Sequence, residues 1–156
     1  HGRPVGNAGP QLPAPEAQCL GPQHARLAIV PHRGTWHEGQ VHRLAQEFNV
    51  PLFAAQVVPP KGDQPPARSF VEVAHPDLSV TACKRADERD TLIVRVLNFG
   101  PAHGTSTLTA GFDISEAWLT NLREDRLERL KVRDERSVEV TVRPRQLVTV
   151  DLVPAR

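Results

Sequence analysis

The segment His37-Glu38-Gly39-Gln40-Val41-His42 sets two imidazoles and a carboxylate close together, the donor types of a zinc-hydrolase helix. That motif needs histidines four apart, so that both rings leave one face of the helix, and here they are five apart. At about 100° per residue this spacing spreads the rings by roughly 140° on a regular helix. The pair is therefore not expected to hold one ion. His24, His32, His75 and His103 fall near the ends of elements or in loops and read as surface or hydrogen-bonded histidines.

Carboxylate chemistry is tested the same way. Glycoside hydrolysis needs two carboxyl groups flanking one bond, one of them with its pKa raised by burial. Asp87-Glu88, Glu124-Asp125 and Asp134-Glu135 all sit in charged turn segments and are expected to be solvated. The glycine-flanked serine of a nucleophile elbow is absent, as are a phosphate loop and a dinucleotide fingerprint. Sugar binding by ring stacking has little to work with, because the chain has no Tyr, two Trp and five Phe. Phe48, Phe99 and Trp118 read as core, which leaves Trp36 as the aromatic to weigh as a sugar platform, and even there core packing is the favoured reading.

The elements that carry these residues follow from periodicity. Thr35 to Asn49 predicts the one helix: Thr35 and Glu38 make a capping-box pair, Val41, Leu44, Ala45 and Phe48 recur at helical spacing, and Gly39 weakens it. Ser137 to Arg143 alternates, with Val138, Val140 and Val142 on one face; after Pro144-Arg145-Gln146, Leu147 to Leu152 puts Val148, Val150 and Leu152 inward. The two runs predict an antiparallel hairpin. Leu92 to Leu97 is apolar on nearly both faces, as a central covered strand would be. Further strands are expected over Ala25 to His32, Leu52 to Val58, Ser69 to Ala74, Leu78 to Lys84, Gly104 to Ala110, Ile114 to Leu122 and Leu127 to Val132, with Pro59 to Pro66 an exposed loop. Some nine or ten strands at turn spacings, with one short helix, predict an all-β fold: an antiparallel β-sandwich with Val94, Trp118, Val138, Val140 and Val150 buried.

Composition bounds the rest. With 156 residues, 39% apolar and 24% charged, the sequence suits one compact domain. A net charge of +1 with both signs interspersed gives no footprint for nucleic acid or an anionic membrane, and no apolar run approaches the length of a membrane span. Two cysteines, Cys19 and Cys83, do not make a disulfide framework and are expected to be reduced. Asn7, Asn49, Asn98 and Asn121 all lack the following Ser or Thr of a glycosylation site, and the first residues lack a signal-peptide layout, so a cytoplasmic protein is expected. Residues 1–24 read as an extended Pro/Gly-rich segment lying over a domain of residues 25–156. A chain opening at His1 with no Met anywhere is expected to be a piece of a larger polypeptide.

The order of Leu92-Ile93-Val94-Arg95-Val96-Leu97-Asn98, then Glu116 to Leu122, then Arg143-Pro144-Arg145-Gln146-Leu147-Val148-Thr149-Val150 resembles the C-terminal end of α-mannosidases of glycoside hydrolase family 38. Leu27 to His32, Trp36 and Asn49-Val50-Pro51-Leu52 resemble the segment preceding that end in bacterial members, as do Gly9-Pro10 and Ala17 to Gly21. The resemblance implies that residues 25–156 form the C-terminal β-sandwich of a larger glycosidase, non-catalytic by itself. It further implies a parent that cleaves α-mannosides with retention. The parent's nucleophile and divalent metal, usually zinc, would belong to an N-terminal α/β domain followed by a helical bundle, and these domains would be this chain's partners. The chain itself is expected to need no cofactor. The stretch from Gly2-Arg3-Pro4 to Gly9-Pro10 resembles a family segment whose arginine reaches toward the active-site cleft, which implies a substrate-binding role for Arg3; Pro4 stands where related enzymes often have glycine. A free-standing carbohydrate-binding or structural interaction module is the alternative for the same sandwich.

Overall fold

The computed structural model describes residues 20–56, 62 and 65–155. The chain divides into two units, His1–Pro31 and His32–Arg156. In the first, residues 20–31 have neither helix nor strand, and Leu27 and Ile29 are 90% and 93% exposed. The strand expected over Ala25 to His32 does not form there. Its apolar alternation is present, but an unpaired strand has no ladder to satisfy its backbone groups.

Among the described residues of the second unit, nine strands make two antiparallel sheets. They are β1 (Val71–Val73), β2 (Leu78–Arg85), β3 (Leu92–Asn98), β4 (Gly104–Ala110), β5 (Ile114–Thr120), β6 (Arg126–Leu130), β7 (Val132–Arg133), β8 (Ser137–Val142) and β9 (Leu147–Pro154). The four-stranded sheet runs β1-β4-β8-β7 and the five-stranded sheet runs β2-β3-β9-β5-β6. The expected all-β sandwich with one short helix is what forms. Leu52 to Val58 is a second strand that does not appear: its described residues, 52–56, are unpaired, with Leu52 and Phe53 almost wholly exposed.

The alternation places the core. Val138, Val140 and Val142 from β8 and Leu108 and Ala110 from β4 face Val94, Val96, Val148, Val150, Leu152 and Ala117 of the other sheet, all buried. Each fully buried Val or Leu among them stabilises the fold by about 1.5–3 kcal/mol. Trp118 departs from expectation: its neighbours Ala117 and Leu119 face the core, so Trp118 points outward and is half-buried.

The expected hairpin between β8 and β9 is corrected as well. The two strands lie in different sheets, β8 beside β4 and β7, β9 between β3 and β5. The linking residues turn the chain across the core, with Arg145 left-handed at φ 59°. The corner is pinned by Asn98 at the end of β3: Arg145 N donates to Asn98 O at 3.1 Å, and Asn98 N donates to Gln146 O at 3.1 Å. The Asn98 side chain, fully buried, donates to Ala102 O and Val142 O and accepts from Gly100 N. Leu127 to Val132 is likewise split, β6 joining one sheet and β7 the other.

The helix α1 spans Val41–Asn49, shorter than Thr35 to Asn49. The capping box does form: Thr35 N donates to Glu38 Oε2 at 2.7 Å and Glu38 N to Thr35 Oγ1 at 3.2 Å. The turn it starts is then interrupted at Gln40, which is left-handed at φ 51°, and the helix begins afresh at Val41.

Candidate functional site

Two clusters of chemically capable side chains stand out. The first gathers at one end of the sandwich, where the turn before α1 meets the β1–β2 turn, the β3–β4 loop and the β8–β9 corner. The His37 and Asp77 side chains are in contact, Nε2 to Oδ1, at 2.7 Å. His42 stacks between two rings, with its centroid 4.5 Å from Phe99 and 6.5 Å from His37, and Trp36 meets both imidazoles edge-on. The Arg145 guanidinium lies 4.9 Å from the Trp36 ring centroid and donates to Phe99 O. The divergence expected of a regular helix does not apply here, because Gln40 breaks the helix between the two histidines and brings their rings parallel.

Both nitrogens of His42 are shut away from solvent with no hydrogen-bond partner. Burial pushes its pKa below the ordinary histidine value; His37, Arg145 and Arg43 act in the same direction and Asp77 opposes them. A neutral imidazole held in this way is a packed plate with no path for proton transfer to a bound molecule. The cluster fastens α1 to the sandwich, which matters because α1 itself contributes no buried residue. Phe99, expected in the core, belongs to this fastening instead, and Phe48 on α1 is half-buried. Trp36, expected to pack in the core, is instead 42% exposed beside the histidine pair.

The second cluster covers the outer face of the five-stranded sheet, where Lys84, Ile93, Asp151, Trp118 and Arg129 lie side by side across the strands. Asp151 is fully buried, its Oδ2 accepting from Arg126 Nε at 2.9 Å and Arg89 Nε at 3.3 Å. Arg126 and Arg129 stand over Trp118 at 5.2 and 5.8 Å, and Glu116 accepts from both Trp118 Nε1 and Arg129 Nη2. Glu124, expected to be solvated, is buried at 5% exposure. It is covered because Lys84 Nζ reaches its Oε1 at 2.6 Å, Asp87 N donates to its Oε2, and Arg89 Nη2 donates to its backbone carbonyl. Asp87, Glu88, Asp125, Asp134 and Glu135 are exposed as expected.

The Lys84 ammonium, then the Asp87 N–H, hold the Glu124 carboxyl below its ordinary value. A glycosidase acid needs the opposite shift. Asp151 is engaged by two arginines, so both buried carboxylates already hold cations of this chain. The sequence signal for this cluster was available: Asp151 is a lone acid in an apolar strand, and only a cation from the outer face could accompany it.

Arg3 and Cys19 lie outside the described residues, and Cys83 is exposed on β2. His24, His32 and His103 are exposed, and His75 Nδ1 accepts from Asp77 N. Among the described residues no three His, Cys, Asp or Glu side chains group as a metal site. No helix among them is long and apolar enough to cross a membrane. An open cleft of about 550 Å³ between α1 and the edges of β1 and β2 is lined by Arg43, Gln46, Glu47, His75 and Val80 among others.

Residues 77–150, from the turn before β2 into β9, match the family described as the glycosyl hydrolases family 38 C-terminal beta sandwich domain. The chain is 26% identical over 136 residues to a provisionally named mannosylglycerate hydrolase of Halalkalibacterium halodurans, covering 87% of this chain and 15% of that one. It is 29% identical over 147 residues to alpha-mannosidase 2C1 of Mus musculus and 28% over 148 residues to that of Homo sapiens, in each case covering 90% of this chain and 14% of the relative. The chain thus spans only 14–15% of the length of the curated relatives it matches.

Proposed function

We propose that the chain is a non-catalytic module of an α-mannosidase-like glycoside hydrolase, its residues 77–150 matching the glycosyl hydrolases family 38 C-terminal beta sandwich domain. The observation that carries this is the match itself, which falls on the two-sheet sandwich. The chain's part is to scaffold the catalytic and helical domains of the same polypeptide. On this reading the parent is a cytoplasmic enzyme that hydrolyses α-mannosidic linkages with retention, using carboxylates and a divalent metal, zinc, held by residues outside this chain. The two buried carboxylates described above are consistent with that division, since both are tied into ion pairs.

Arg3 is the one residue of this chain that we place at the rim of the parent's cleft, where its five donors suit sugar hydroxyls or a carboxylate of the catalytic domain. The test uses the longer protein that carries this chain and an aryl α-mannoside. Turnover releasing α-mannose as the first product, seen by NMR, is expected, with none from residues 1–156 alone. Arg3→Ala in the longer protein is expected to lower kcat/KM about tenfold or more with the melting temperature nearly unchanged. A longer protein inert toward α-mannosides, or turnover by the isolated chain, would overturn the proposal.

A further inference from the structure

We infer that residues 27–30 and residues 51–56 are each a β-strand whose partner strands lie in polypeptide outside residues 1–156, so that each adds to a sheet edge of the longer protein. The inference rests on reading the chain as one module of a larger glycosidase. Its starting point is the disagreement between sequence and structure at these two runs. Leu27-Ala28-Ile29-Val30 ends at Pro31, and Leu52-Phe53-Ala54-Ala55-Gln56 begins after Pro51, the places where proline is compatible with a strand. Neither run has the Gly, Ser or charged residues of a solvated linker.

Both runs nonetheless lack a ladder partner among the described residues. Leu27, Ile29, Leu52 and Phe53, at 90%, 93%, 102% and 93% exposure, are more exposed than any other large hydrophobic side chain described. Elsewhere the same chemistry is satisfied: in β3 and β9 apolar runs are paired on both edges and largely buried. Apolar strand sequences left wholly in water are what remains when a sheet has been divided.

The lengths of the relatives favour a partner within the same polypeptide. The sandwich match covers residues 77–150, whereas the relatives align over 87–90% of the chain, so much of the stretch before residue 77 is shared with them too. Those relatives extend far beyond the aligned region, because this chain is 14–15% of their length. The occupant is therefore a β-sheet of the same polypeptide with an open edge and an apolar face, in preference to a second copy of this chain.

Hydrogen–deuterium exchange on the longer protein, and on residues 1–156 alone at two concentrations, tests this. Peptides covering 27–30 and 51–56 are expected to exchange within seconds in the isolated chain and roughly a hundredfold or more slower in the longer protein, approaching β3 and β9. Rapid exchange in both would overturn the inference, showing two solvated segments. So would protection in the isolated chain that grows with its concentration, which would make the partner a second copy. Turnover plays no part in the readout. Protected strands in a protein inert toward α-mannosides would sink the mannosidase reading alone, and fast exchange in an active one would sink this inference alone.

Discussion

Asp151 shows how a residue on the outer face of a sheet can be held as firmly as one in the core. It is fully buried, and the two arginines that hold it, Arg89 and Arg126, have side chains 31% and 29% exposed. Asp151→Ala leaves both guanidinium groups over an apolar strand, and we expect a loss of about 2–3 kcal/mol, below the usual range for a fully buried pair because the arginines remain partly hydrated. Urea denaturation measures it; a loss under about 0.5 kcal/mol would show that the pairing is incidental. His42 makes a different prediction. Its folded pKa lies below the unfolded value of about 6.5, so between the two the unfolded chain binds more protons. Stability therefore falls as the pH drops through the ordinary histidine value. His42→Phe keeps the stack on Phe99 and removes the titration, and its thermal melts from pH 7.5 to 5 should be flatter than those of the native chain.

At the scale of elements, what positions the strands are the corners at which the chain changes sheet. Gly111 follows β4 closely and lies against the approach to β1: its N–H donates to Phe70 O at 2.9 Å, and a Cβ there would stand 2.8 Å from Ser69 O and 3.2 Å from Phe70 Cα. Both obstacles are backbone, so Gly111→Ala must push β1 away from β4. We expect a loss of about 1–3 kcal/mol, with faster amide exchange confined to β1 and β4. Slowed or unchanged exchange in β1 would show that the contact is loose. The α1 segment depends on a different device. With no buried residue of its own, it is held by the His37–Asp77 contact, the His42–Phe99 stack and Gln46 Nε2 donating to Val80 O at 3.1 Å.

For the whole molecule, the fold stands on one apolar layer between two sheets and on ion pairs outside it. A far-UV circular-dichroism spectrum should be dominated by β structure, α1 with its nine residues being the one helix among the described residues. Val140→Asp sets an unpaired carboxylate into the layer at a position 3% exposed, and a loss of several kcal/mol is expected in the same denaturation assay. The acid limb of stability belongs to this scale too. Glu124 and Asp87 have pKa values lowered, each chiefly by Lys84. Their contribution is present above the unfolded value of about 4 and is lost as the pH falls through the folded values. Lys84→Met should weaken this acid limb while leaving the histidine step in place.

Most strands of the sandwich were legible in the residues alone, and so was the inward face of β8 and β9, because period-two alternation is a local property: Gly104–Ala110 is where the pattern put it, and Val138, Val140, Val142, Val148, Val150 and Leu152 all face the core, whereas the face of Trp118 was read wrongly. The capping box at Thr35 was legible for the same reason. Pairing was not. An antiparallel hairpin and a sheet-changing corner share one sequence pattern, so only the long-range contact of Asn98 with the corner decides that β8 and β9 face each other across the core instead of lying side by side. The clusters outside the core, His42 on Phe99 and Asp151 under Arg89 and Arg126, join residues more than 20 positions apart. Local spacing carries no information about such pairs, and the folded chain alone brings them together.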